Sequence, residues 1–86
     1  MPQISRFYGI VIYMYYDEHH PPHFHAIYGT AEAQIGIAPI ALLRGQLSGR
    51  ALALVVEWAA LHQSELLENW ERMRQDRSPQ KIEPLQ

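Results

Sequence analysis

The chain has 86 residues, 48% of them hydrophobic and 19% charged: enough apolar material for one core, too little length for two, and too apolar for a disordered chain. It contains no cysteine, which excludes a disulfide framework, a thiolate metal site and a redox-active thiol, so any metal must be held by His, Asp or Glu. A formal net charge of −2 argues against gripping nucleic acid through overall basicity.

One domain is expected over residues 1–86, β-rich over 1–47, helical over 48–76, with a tail over 77–86. The segment Met1 to Arg6 lacks the apolar core of a signal peptide, and no stretch approaches the roughly 20 apolar residues that span a bilayer. The expectation is therefore a cytoplasmic protein with no membrane association.

From Phe7 to Tyr16 the chain is dense in aromatic and β-branched residues and reads as one strand. Alternation puts Tyr8, Ile10, Ile12 and Met14 on one face and Phe7, Val11, Tyr13 and Tyr15 on the other. One apolar face is core and the other needs a partner, which makes Tyr13 and Tyr15 candidate partner-binding residues. Asp17 to Pro22 ends the strand, because Pro21 and Pro22 remove two donors.

A second strand, His23 to Tyr28, is followed by Gly29-Thr30 and a third strand, Ala31 to Ile37, with the turn of a primed hairpin. Pairing Tyr28 with Ala31 sets Ala26 against Ala33 and Phe24 against Ile35 on the core face. The opposite face then joins His25 to Gln34, Ile27 to Glu32 and His23 to Gly36. Ala38 to Leu47 reads as a turn with a short fourth strand at Leu42 to Arg44.

Ser48 stands where a helix N-cap belongs, ahead of a stretch from about Arg50 to Gln75 without proline or glycine. Leu52, Val55, Val56, Ala59, Leu66, Trp70 and Met73 recur at helical spacing and are expected to lie on the sheet. Glu68 and Arg72 are spaced as an i,i+4 pair. The fold class expected is thus α+β: a small antiparallel sheet of three to four strands packed by one long C-terminal helix, followed by an extended tail. That helix is long for the domain, so a bend near His62 to Ser64 or a protruding end is anticipated. Trp58 and Trp70 share nearly one meridian and either cover the sheet or present aromatic anchors to a partner.

Four histidines between His19 and His25 form the densest chemical feature. Three readings compete. His19, His23 and His25 can converge as ligands of zinc or another divalent ion, with Asp17, Glu18 or Glu32 completing the shell. His23 or His25 can act as a catalytic general acid or base, with Arg6, Arg44 or a tyrosine steadying developing charge. Or the imidazoles stack on the prolines and tyrosines and serve the turn alone.

The segments Ile4-Ser5-Arg6-Phe7-Tyr8-Gly9-Ile10, Met14-Tyr15-Tyr16, His19 with Pro21-Pro22-His23-Phe24-His25, Trp58 with His62, Trp70, and Lys81-Ile82-Glu83-Pro84-Leu85 together resemble the bacterial domain-of-unknown-function family 4160 (DUF 4160). The resemblance places the family motif on His19, Pro21, Pro22, His23, Phe24 and His25 and leaves His20 at a variable position. It further implies one component, toxin-like, of a two-gene module akin to a toxin-antitoxin pair. That component would work by binding a protein from a neighbouring gene of another uncharacterised family, 2442, or by self-association. The rival expectation is a His-dependent or metal-dependent hydrolase, such as a ribonuclease, using His23 and His25.

Overall fold

The structure is a computed structural model that describes residues 2–16 and 18–86. Five strands are followed by two helices: β1 (Gln3–Phe7), β2 (Ile10–Tyr13), β3 (His23–Tyr28), β4 (Ala31–Ile37), β5 (Ile40–Gly45), α1 (Gly49–Leu61) and α2 (Gln63–Arg74). The strands pair antiparallel in chain order, a five-stranded meander. The class is α+β, but the expected sheet of three to four strands with one long helix is overturned on both counts.

The extra strand comes from the amino terminus. The apolar run from Phe7 to Tyr16 is not one strand but a hairpin bend: Phe7 pairs with Ile10 across Tyr8-Gly9. Both turn residues sit at positive φ, 51° and 80°, the twist that a two-residue link between antiparallel strands requires. The face assignment shifts accordingly. Ile10, Ile12 and Met14 are core as expected, Tyr8 projects into solvent, and Phe7 turns inward to Trp58 at 5.3 Å. The β3–β4 register is the one the turn chemistry implies, with Phe24 opposite Ile35 and His25 opposite Gln34. The short strand expected at Leu42 to Arg44 is longer and forms β5, at the far edge of the sheet.

The helical segment begins on schedule, Ser48 Oγ accepting from the Ala51 N–H at 3.2 Å. It then breaks at His62, whose φ of −123° leaves the helical region. A straight helix from Gly49 to Arg74 would run about 39 Å, longer than the 34 Å greatest dimension of the molecule. The break lets both halves stay on the sheet, and the Gln63 side chain anchors it by donating to the Ile37 carbonyl at 2.7 Å. Ala51, Val55, Trp58 and Ala59 of α1 and Leu66, Asn69, Trp70 and Met73 of α2 are buried. Val56 is exposed, because the buried stripe runs through Trp58 instead. Arg72 does not pair with Glu68; its Nε donates to the Ser78 carbonyl at 2.9 Å, while Arg74 pairs with Glu71.

The segment after α2 has no regular structure but is fastened along its length. Asn69 grips the Gln80 backbone through two hydrogen bonds of 2.8 Å, Ile82 donates to the Ile4 carbonyl at 2.8 Å, and the Trp58 indole donates to the Glu83 carbonyl at 2.8 Å. Ile82 is buried in the core. Among the described residues, no helix is long and apolar enough to cross a membrane.

Candidate metal centre

Pro21 and Pro22 deliver the chain into β3, where Ile37 reaches past the strand end to donate to the Pro22 carbonyl at 3.1 Å. Phe24 is completely buried, edge-on to Trp58 at 5.7 Å. Strand alternation then turns His23 and His25 to the opposite face, where they lie 6% and 5% exposed with ring centroids 5.4 Å apart. Tyr15 packs on His25 at 4.3 Å, and Trp70 of α2 reaches the His23 ring at 5.3 Å.

Each ring is oriented by a hydrogen bond at Nδ1. His23 Nδ1 lies 2.8 Å from the Pro21 carbonyl, an acceptor only, so Nδ1 donates and the Nε2 lone pair is left free in the neutral ring. His25 Nδ1 donates in the same way to Glu32 Oε2 at 2.9 Å. Both Nε2 atoms face Glu18: His25 Nε2 is 2.5 Å from Oε1, and His23 Nε2 is 3.3 Å from it. The second approach lacks hydrogen-bond alignment, and His23 Nε2 is buried without a hydrogen-bond partner. Since ionised carboxylates accept only, His25 satisfies both its contacts only with a proton on each nitrogen.

Glu18, His23 and His25 form a group whose potential ligand atoms all lie within 4.8 Å of one another. Zinc with bonds near 2.0–2.1 Å in tetrahedral geometry separates its ligand atoms by about 3.3 Å, so small side-chain adjustments suffice. Burial would raise the Glu18 carboxyl, but the hydrogen bond from His25 and the electrostatic attraction of the His25 and His23 rings outweigh it and hold Glu18 below the usual glutamate range. Burial, reinforced by the negative charge of Glu32, Tyr13 and Glu18, raises the Tyr15 hydroxyl.

Two clefts meet at this group. One, about 380 Å³, is walled by Tyr15, Glu18, His19, Trp70, Met73 and Arg74. The other, about 350 Å³, is walled by Glu18, His19, His20, His23, Gln34 and Arg44 among others. His19 is exposed and lines both clefts, but it is not part of the ligand group. His20 stands edge-on to Trp70 at 5.6 Å. Asp17, considered as a completing ligand, lies outside the described residues.

Tyr13 is partly buried and stacks on Tyr15 at 6.1 Å, while Trp58 and Trp70 are buried in the core. Glu18 is the central carboxylate, and the sequence offers it only as one of three acids near the motif. Glu32 is the residue the strand register does place, on the His25 face.

No curated protein and no solved structure matches the chain. A family model described as "Domain of unknown function (DUF4160)" matches residues 9–71 of the 86, a span that holds Glu18, the histidine motif, all of α1 and most of α2, and the chain belongs to that family.

Proposed function

We propose that the protein binds one divalent metal ion through Glu18, His23 and His25 and uses it in hydrolysis. The observation that carries this reading is the buried, unpartnered Nε2 of His23, held by the Pro21 carbonyl so that its lone pair faces the Glu18 and His25 ligand atoms. Backbone or carboxylate acceptors on Nδ1 are the usual outer support of metal-bound imidazoles, and both histidines have one. Three protein ligands leave a position for water, which a divalent ion acidifies to near neutrality. Held by Glu18, His23 and His25, such an ion would supply an activated water for attack on an ester. In this reading His23 and His25 are ligands and not the acid-base pair.

Protein purified without a histidine tag and titrated with zinc, cobalt, nickel or manganese is expected to take up one equivalent and to melt at a higher temperature. Folded His23→Ala and His25→Ala variants lose both effects. Less than stoichiometric uptake together with an unchanged melting temperature sinks the reading.

A second reading is a toxin-like role in a two-gene module through a protein partner. It is supported by the open edge strand β5, where Leu42 and Leu43 are 46% and 44% exposed. Co-expression with the product of the neighbouring gene is expected to yield a complex on size exclusion. A strictly monomeric chain that retains nothing counts against it.

A further inference from the structure

We infer that the substrate class of this centre is a phosphate ester whose phosphoryl group is held by Arg44. The inference rests on the metal reading and goes beyond it by naming what the adjoining cleft accepts.

The register carries it. His25 on β3 is the cross-strand partner of Gln34 on β4, and Gln34 is the partner of Arg44 on β5, so the three form one row across the sheet. Two strand spacings put the Arg44 backbone about 10 Å from that of His25, a gap that an arginine side chain spans much of. Arg44 and Gln34 wall the same cleft as Glu18 and His23. Among the described residues walling that cleft, the only carboxylate is Glu18, assigned to the metal.

Arg44 forms no ion pair among the described residues, in contrast to Arg74, which Glu71 engages at 3.0 Å. An uncommitted guanidinium beside a divalent ion complements an anion with several oxygens at once. One oxygen can reach the metal while others accept from the planar fork of Arg44 and from the Gln34 amide. A tetrahedral phosphoryl group has oxygens in the number and directions for this, whereas a planar carboxylate has only two.

The test uses cobalt-loaded full-length protein, whose visible absorption reports the metal's surroundings, titrated with inorganic phosphate and, in parallel, with acetate. Phosphate is expected to shift the band, and acetate to do so only far more weakly. Arg44→Ala is expected to weaken phosphate binding about ten- to a hundredfold, as for loss of a charged hydrogen bond, with cobalt affinity unchanged. Arg44→Lys, which keeps the charge but not the fork, falls between.

Arg44 is exposed, so both variants should fold, which circular dichroism checks. A cobalt band that phosphate does not move, an equal response to acetate, or full phosphate affinity in Arg44→Ala overturns this inference alone. Absence of any cobalt band overturns the metal reading and this inference with it.

Discussion

At His25 two carboxylates hold one imidazole, one at each nitrogen, and their burial differs: the Glu32 side chain is half exposed, that of Glu18 about a quarter. If Glu18 is the ligand, Glu32 acts through the ring, making Nε2 a stronger donor to metal by drawing on the Nδ1 proton. Glu32→Gln keeps an acceptor there but removes the charge. It is expected to weaken metal binding about tenfold or more, read by calorimetric titration, with the melting curve of the metal-free protein little changed.

Which acid would meet the histidines was only partly legible. Glu32 follows from the β3–β4 register, a periodic property that a two-residue turn fixes. Glu18 lies in the irregular stretch between β2 and β3, where no period constrains direction. The same irregularity left His19 as a candidate ligand, although it stands beside the group rather than in it.

Among the elements, β5 depends on one backbone position. Gly45 adopts φ +82°, and a Cβ there would sit 2.2 Å from the Glu32 carbonyl oxygen. That oxygen already accepts from the Gln46 N–H at 3.2 Å. Gly45→Ala is expected to cost about 2–3 kcal/mol, seen as a lower urea midpoint, and to loosen the strand that carries Arg44.

The elements themselves were legible where pattern and punctuation agreed, as in the β3–β4 hairpin and the Ser48 cap. They were misread where composition hid punctuation. Gly9 lies inside ten residues rich in β-forming side chains, so the strand preference of its neighbours masked the turn. The helix break had no glycine or proline to announce it. The helix's length against so small a domain nevertheless anticipates a bend near His62 to Ser64, and the break falls at His62.

For the whole molecule, the closing segment is the part the sequence represented least. A stretch with Pro79 and Pro84 and little periodicity reads as a tail, yet its backbone is held by side chains from two helices. Those partners, Asn69 and Trp58, carry no mark in sequence that distinguishes a backbone clamp from ordinary helix residues. Asn69→Ala removes both hydrogen bonds to Gln80 from a site that is 1% exposed. The expected loss is about 1–3 kcal/mol, measured by denaturation followed through tryptophan fluorescence.

The bond from Ile82 to Ile4 has a kinetic consequence. Every strand pairing in the sheet joins neighbours in the chain, contacts that close short loops and form early. This bond instead closes a loop over nearly the whole sequence, and beside the buried Ile82 side chain the segment is held by a few hydrogen bonds rather than a broad apolar face. It should therefore be the last seam to form and the first to part in native-state fluctuations. Hydrogen exchange at the Ile82 amide would then be faster than at Ile12 or Ala26 in the middle of the sheet.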